Sequence, residues 1–136
     1  MILQRSIKDS VSATGVGLHS GKKVKLTLKA APENHGIVFC RTDLKTPMKI
    51  KVDPTIVQDT KLCSAIGTDE FKVATVEHLM SALSALGIDN ILIEVNGPEL
   101  PIMDGSSISF IYLIKSAGII DQTLAKNLFL LKGLLR

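Results

Sequence analysis

The run Lys23-Val24-Lys25-Leu26-Thr27-Leu28-Lys29-Ala30 alternates polar and apolar side chains without a break. Successive side chains of a β-strand point to opposite faces, so this run predicts a strand with one wet face and one buried face. It also locks the register, because a slip of one residue would turn every lysine into the core. Met48-Lys49-Ile50-Lys51-Val52 repeats the pattern. A sheet solvated on one side follows, with Val24, Leu26, Leu28 and Ala30 facing inward.

That inward face needs a cover, and two helices are available to supply it. Val76, Leu79, Met80, Leu83 and Leu86 fall at helical spacing, with Thr75 expected as N-cap and Gly87 as the terminating residue. A second helix is expected after Asp104-Gly105-Ser106, with Ser106 as cap and Gly118 as its end. Phe110, Ile111, Tyr112 and Ile114 make it apolar on most sides, which predicts deep burial. Further extended segments are expected at Leu3–Lys8, Val11–Leu18, Ile37–Arg41, Leu62–Ile66, Phe71–Ala74 and Asn90–Asn96, with turns at His19-Ser20-Gly21-Lys22 and at Pro32-Glu33-Asn34-His35-Gly36. The expected class is α+β: a two-layer sandwich of a mainly antiparallel sheet with two helices on one face.

Composition narrows what such a domain does. The chain has 136 residues, enough for one core, and that core must be aliphatic because aromatics are only 4% and Trp is absent. No apolar run reaches the length of a membrane span. Gln4, Arg5, Lys8 and Asp9 interrupt the N-terminus, so no signal peptide is expected. Cys40 and Cys63 show no metal or redox spacing, which suggests free thiols in a reducing cytoplasm. The net charge of +3 is too weak to call for nucleic acid, and a solvated sheet face accounts for the lysines.

Chemistry concentrates at Thr75-Val76-Glu77-His78-Leu79. A carboxylate and an imidazole stand side by side in the first turn of a helix, off its apolar stripe. General-base and metal-ligand roles are both open to them, and so is the plain role of a solvated pair on a capped helix. The positive end of the helix dipole favours an anionic Glu77. The order differs from H-E-x-x-H, which excludes that kind of metalloprotease. The other two histidines, His19 and His35, lie in expected turns.

Four stretches in this order, Ala13-Thr14-Gly15-Val16-Gly17-Leu18-His19-Ser20-Gly21-Lys22, Thr75 to Leu79, Gly87-Ile88-Asp89-Asn90 and Pro98 to Ser106, closely resemble the N-terminal half of UDP-3-O-acyl-N-acetylglucosamine deacetylase, the zinc enzyme of bacterial lipid A synthesis. The resemblance covers about Leu3 to Ile120, and the family enzyme is about twice as long as this chain. It implies the same two-layer architecture and a hydrolysis that frees acetate from the N-acetyl group of the acylated UDP-sugar. It makes His78 a Zn2+ ligand and Glu77 the base. The other two ligands, a His and an Asp four apart on a helix, and the His that protonates the leaving amine would belong to the other half. Zinc held by this chain alone is therefore expected to be weak or absent. By the same resemblance Leu18 and His19 border the acyl passage and site mouth, with a strand end and a turn as the plain alternative. Leu62 and Cys63 match a segment lining that cleft, although Cys63 also suits an ordinary buried position. Asp104, which with Glu99 could suggest a paired-carboxylate site, is assigned to the turn that launches a helix.

The expected domain spans residues 1–121, followed by a leucine-rich tail, 122–136, that departs from the family. Leu124, Leu128, Leu131 and Leu135 keep helical spacing, which leaves an amphipathic helix open there despite Gly133 without fixing the conformation of the tail. A domain whose partner half is absent should expose apolar surface and either self-associate or pair with a second domain. Three functions stand: half of a zinc deacetylase; a non-catalytic remnant, or a half-enzyme that needs a separate second domain; and an α+β nucleic-acid-binding module using its lysine face. The ordered motifs argue against the last.

Overall fold

The computed structural model describes residues 2–52, 65–67 and 72–126. Along the chain come β1 (Leu3–Ile7), β2 (Val11–Val16), β3 (Lys23–Ala30), β4 (Ile37–Arg41), β5 (Met48–Lys51), β6 (Ala65–Gly67), β7 (Lys72–Ala74), α1 (Glu77–Ala85), β8 (Ile91–Val95), α2 (Ile108–Ala117) and β9 (Ile119–Ala125). The main sheet has five strands in the order β2-β3-β8-β4-β5. Its pairs are antiparallel except β4 with β8. The pairs β1-β9 and β6-β7 form two further antiparallel ribbons. The expected α+β two-layer class, mainly antiparallel with two helices, is what the chain adopts.

The alternation in β3 works as the physics requires. Val24, Leu26 and Leu28 are buried while Lys23 and Lys25 are exposed, and Lys29 pairs with Glu94 at 2.8 Å. Ala30, expected inward, is exposed because the strand ends there. Leu26 stands opposite Val95 and Leu28 opposite Ile93, so β3 and β8 present one continuous apolar face. Leu79, Leu83, Phe110 and Ile114 of the helices belong to the same core. Among the described residues no helix is long and apolar enough to cross a membrane.

The helix ends differ from expectation in detail. Gly87, at φ 68°, closes α1: its N–H donates to the Ser84 carbonyl at 3.1 Å and the Ile88 N–H to Leu83 at 3.0 Å, a Schellman arrangement. Thr75 is not the N-cap. Val76 holds that place without a side-chain bond, and the Thr75 hydroxyl donates instead to the Ala74 carbonyl at 2.7 Å. Ser107 rather than Ser106 caps α2, while Ser106 Oγ accepts the Ile108 N–H at 3.3 Å. Asp104 takes the N–H and hydroxyl of Ser106, each at 3.0 Å, and its pKa lies below the usual carboxylate value because of that backbone bond and the Ser109 and Ser106 hydroxyls. α2 is less buried than expected. Phe110, Ile114 and Ala117 face the core, but Ile108 and Tyr112 are exposed.

The start of the leucine-rich tail is strand, not helix. β9 runs through Ala125 and pairs with β1, and Lys126 closes onto the end of α1. Cys40 is a buried free thiol. Leu62 and Cys63 lie outside the described residues, as do Phe71 and residues 127–136.

Candidate active site

Burial of Leu79, Met80, Ala82 and Leu83 fixes the rotation of α1 about its axis. Glu77 and His78, in the first turn, are thereby turned from the core and sit half-buried in a cleft of about 210 Å³. Thr75, Glu77 and His78 form one side. Leu18, Pro101, Ile102, Gly105 and Phe110 complete the lining.

Glu77 carries the one unsatisfied group of the site. Its Oε2 is buried and accepts no hydrogen bond, alone in this among the buried side-chain polar atoms of the described residues. Such atoms are rare in folded proteins, and each calls for a physical reason, of which a catalytic role is one. Thr75, just ahead of it, is a β-branched residue at φ 56°, a conformation that costs about 1–2 kcal/mol and gathers at functional sites.

The two sides of the cleft are joined by the extended segment 98–102. On one edge the Ala74 N–H donates to Pro98 at 2.8 Å and the Leu100 N–H donates back to Ala74 at 3.1 Å. On the other edge Gly17 bridges Pro101, and the Ile102 N–H donates to Val16 at 2.9 Å. The strap thus ties the end of β2, which leads to Leu18, to the end of β7, which leads to Glu77.

Of the residues singled out from sequence, Leu18, Glu77 and His78 meet in this cleft. His19 is exposed in the adjoining turn and does not line it; its backbone N–H is held by Glu99. Pro101, Ile102 and Phe110 were not foreseen as lining. The only available hint was that Pro98–Ile102 is an apolar stretch carrying one acid, Glu99, without a strand or helix period to place it.

The donor set of the described residues does not complete a catalytic zinc centre. His78 is the one imidazole lining the cleft, and no three His, Cys, Asp or Glu side chains among the described residues could hold a metal ion together. Zinc of that kind takes three protein ligands.

Comparison with known proteins agrees with the geometry. The family model of LpxC, UDP-3-O-acyl N-acetylglycosamine deacetylase, matches residues 4–135 and so takes in the segment after 121. The chain is 54% identical over 133 residues to the UDP-3-O-acyl-N-acetylglucosamine deacetylase of Chromobacterium violaceum, covering 97% of this chain and 44% of that protein. It is 59% identical over 129 residues to that of Neisseria meningitidis serogroup B, covering 93% and 42%, and 53% identical over 137 residues to that of Mannheimia succiniciproducens, covering 100% and 45%. The chain therefore spans less than half the length of these curated relatives. With the match extending over nearly all of its residues, this chain belongs to the UDP-3-O-acyl-N-acetylglucosamine deacetylase family.

Proposed function

We propose that this chain supplies the Glu77–His78 side of a hydrolytic site that removes the acetyl group from UDP-3-O-acyl-N-acetylglucosamine in lipid A synthesis. The observation that carries the reading is the buried, unpartnered Glu77 Oε2 on a cleft otherwise lined mostly by apolar side chains. Glu77 accepts a proton from the water whose oxygen bonds to the acetamide carbon. The C–N bond then breaks, the amine leaves protonated, and acetate is released. Leu18, Ile102 and Phe110 offer an apolar surface to the acyl part of the substrate, and His19 stands at the mouth. A nucleotide-sugar substrate places this work in the cytoplasm.

His78 offers one imidazole to Zn2+, whose contribution when bound is to polarise the amide carbonyl and acidify water. Since the described residues supply no full ligand set, the chain by itself holds zinc weakly or not at all and does not turn over substrate. The general acid and further ligands come from the additional length that the relatives possess.

The test is turnover of UDP-3-O-acyl-N-acetylglucosamine by the chain alone and mixed with the remaining portion of the Chromobacterium violaceum relative. Activity is expected only in the mixture, and Glu77→Gln should lower kcat there by about a hundredfold or more. A Glu77→Gln variant as active as the parent overturns the assignment.

A further inference from the structure

The segment joining the two sides of the cleft has a carboxylate at its centre. Glu99 is 3% exposed, and its partners are backbone amides, not a cation: the His19 N–H donates to Oε2 at 3.1 Å and the Ser20 N–H to Oε1 at 2.8 Å. On the near side of Leu18, the same carboxylate lies so close to Gly17 that any Cβ there would overlap it. Leu18 is therefore bracketed at the backbone, by the Gly17 contact before it and the His19 bond after it. Its own side chain is 56% exposed and has little packing to hold it.

We propose that Glu99 is a positioning residue, whose carboxylate sets the Gly17–Lys22 turn and holds Leu18 against the Glu77–His78 wall of the cleft. A carboxylate suits the task because one charged group takes two N–H donors, in bonds stronger than neutral ones. A buried carboxylate is a costly choice if stability alone were served, since an apolar side chain of similar volume avoids its desolvation. The strap gives the arrangement its reach. Glu99 bridges Ala74 through its backbone while its side chain holds the turn, so both sides of the cleft are referred to one residue.

This inference rests on the cleft being where substrate binds, and its test has one arm that does not. In the ¹⁵N-labelled chain, the His19 and Ser20 amides should be protected from exchange although both residues are exposed. Glu99→Gln, which keeps one acceptor oxygen but puts an NH2 against the other N–H, should cut that protection about tenfold or more while the Leu28 amide in the core stays protected. Wild-type amides that exchange unprotected, or protection unchanged in Glu99→Gln, overturn the proposal. Should the variant fail to fold, the wild-type His19 and Ser20 amide shifts should move together as Glu99 is protonated, and their indifference to pH overturns it equally. In the active mixture, Glu99→Gln should raise KM about tenfold and leave kcat within about twofold, the reverse of Glu77→Gln. A loss in kcat alone overturns the positioning role. A mixture with no wild-type turnover removes the hydrolytic reading and leaves the amide result standing.

Discussion

Asn90 donates to Gln122 at 2.7 Å, joining the residue ahead of β8 to the middle of β9. The same Asn90 amide donates to Gln4 Oε1 at 2.9 Å, and its Oδ1 accepts the Gly36 N–H at 2.9 Å. Gln4 in turn donates to Asn34 and to the Ala125 carbonyl, and Gln122 donates to Ala31. Three side-chain amides thus fasten β1, β9, the 31–36 turn and the entry to β8. Arg5 and Lys126 add a second fastening, donating to the Leu86 and Gly87 carbonyls at the C-terminal end of α1. The helix that carries Glu77 at its first turn is anchored by β1 and β9 at its last.

Asn90→Ala should be among the most damaging polar substitutions in the chain. Asn90 is 2% exposed, and its loss strands the Gly36 N–H and the Gln122 oxygen and leaves Gln4 Oε1 with only the Asn34 N–H. The expected cost is about 2–3 kcal/mol. Gln122→Ala, which removes one acceptor and one donor at a half-buried site, should cost about 1 kcal/mol. Urea unfolding followed by circular dichroism measures both, and equal small losses would show that the network is not what holds β9.

Arg41 and Asp43 contribute to the behaviour in acid. The buried guanidinium donates to Asp43 through Nε at 3.0 Å and Nη2 at 2.6 Å, and those bonds hold the Asp43 carboxyl below its ordinary pKa. Burial pushes Glu99 upward, but the Ser20 and His19 bonds outweigh it and leave that carboxyl lowered too. A group with a depressed folded pKa stabilises fully above its unfolded value, about 4 for Asp and Glu, and that stability is lost as pH falls through the folded value. Unfolding midpoints should therefore hold down to about pH 5 and decline below about pH 4. Asp43→Asn should cost about 1 kcal/mol or less at pH 6, since Asp43 is exposed and its pairing is screened, and progressively less in acid. A difference that grows on acidification would contradict the sign.

What was legible in the sequence is what a local period encodes. The lysine alternation of β3 placed its faces, and the apolar spacing of α1 told that Glu77 and His78 turn away from the core. The rest depends on partners distant in sequence. Nothing near Ile37–Arg41 announces that β4 runs parallel to β8, and nothing in Glu99 or Thr75 alone announces a buried carboxylate or a left-handed backbone. The strand at the start of the segment after residue 121 depends on such partners too, while the leucine spacing from Leu128 onward lies outside the described residues. Asp121 binds Arg5, Gln122 binds Asn90, and these tertiary bonds outweigh the weak helical preference of the segment. Of the cleft, the helix side was visible as a motif, whereas Pro101 and Ile102 became lining only when the strap was placed between β2 and β7, and Phe110 only when α2 was packed beside it.

Gly17→Ala should be disproportionately harmful for an added methyl. The new Cβ meets the Glu99 carboxylate and the Ser20 hydroxyl, and Glu99 cannot retreat without releasing the His19 and Ser20 amides. The expected loss is about 1–3 kcal/mol. Gly21→Ala is the control, because a Cβ there meets nothing and only the φ of 67° is strained, which should cost about 1 kcal/mol. Thermal unfolding of the two variants decides, and a Gly17→Ala protein as stable as Gly21→Ala would mean that the carboxylate has room to move.

The cleft rim predicts the chain's behaviour in solution. Val16, Leu18 and Ile102 are exposed and adjacent, since the Ile102 N–H bonds to Val16 and both Leu18 and Ile102 line the cleft. A second exposed pair, Ile108 and Tyr112 at 58% and 72%, stands one turn apart on the outer side of α2, opposite the buried Phe110. Monomeric soluble proteins rarely leave large apolar side chains gathered in this way unless the surface binds something. The chain should therefore self-associate in a concentration-dependent manner and bind a hydrophobic dye. Ile108→Lys with Tyr112→Lys should weaken both effects without loss of stability, because neither side chain is buried in the core. Adding the remaining portion of a curated relative should suppress dye binding in the parent chain if this rim is where that portion packs. Sedimentation that shows a clean monomer at high concentration, with no dye bound, would refute the prediction.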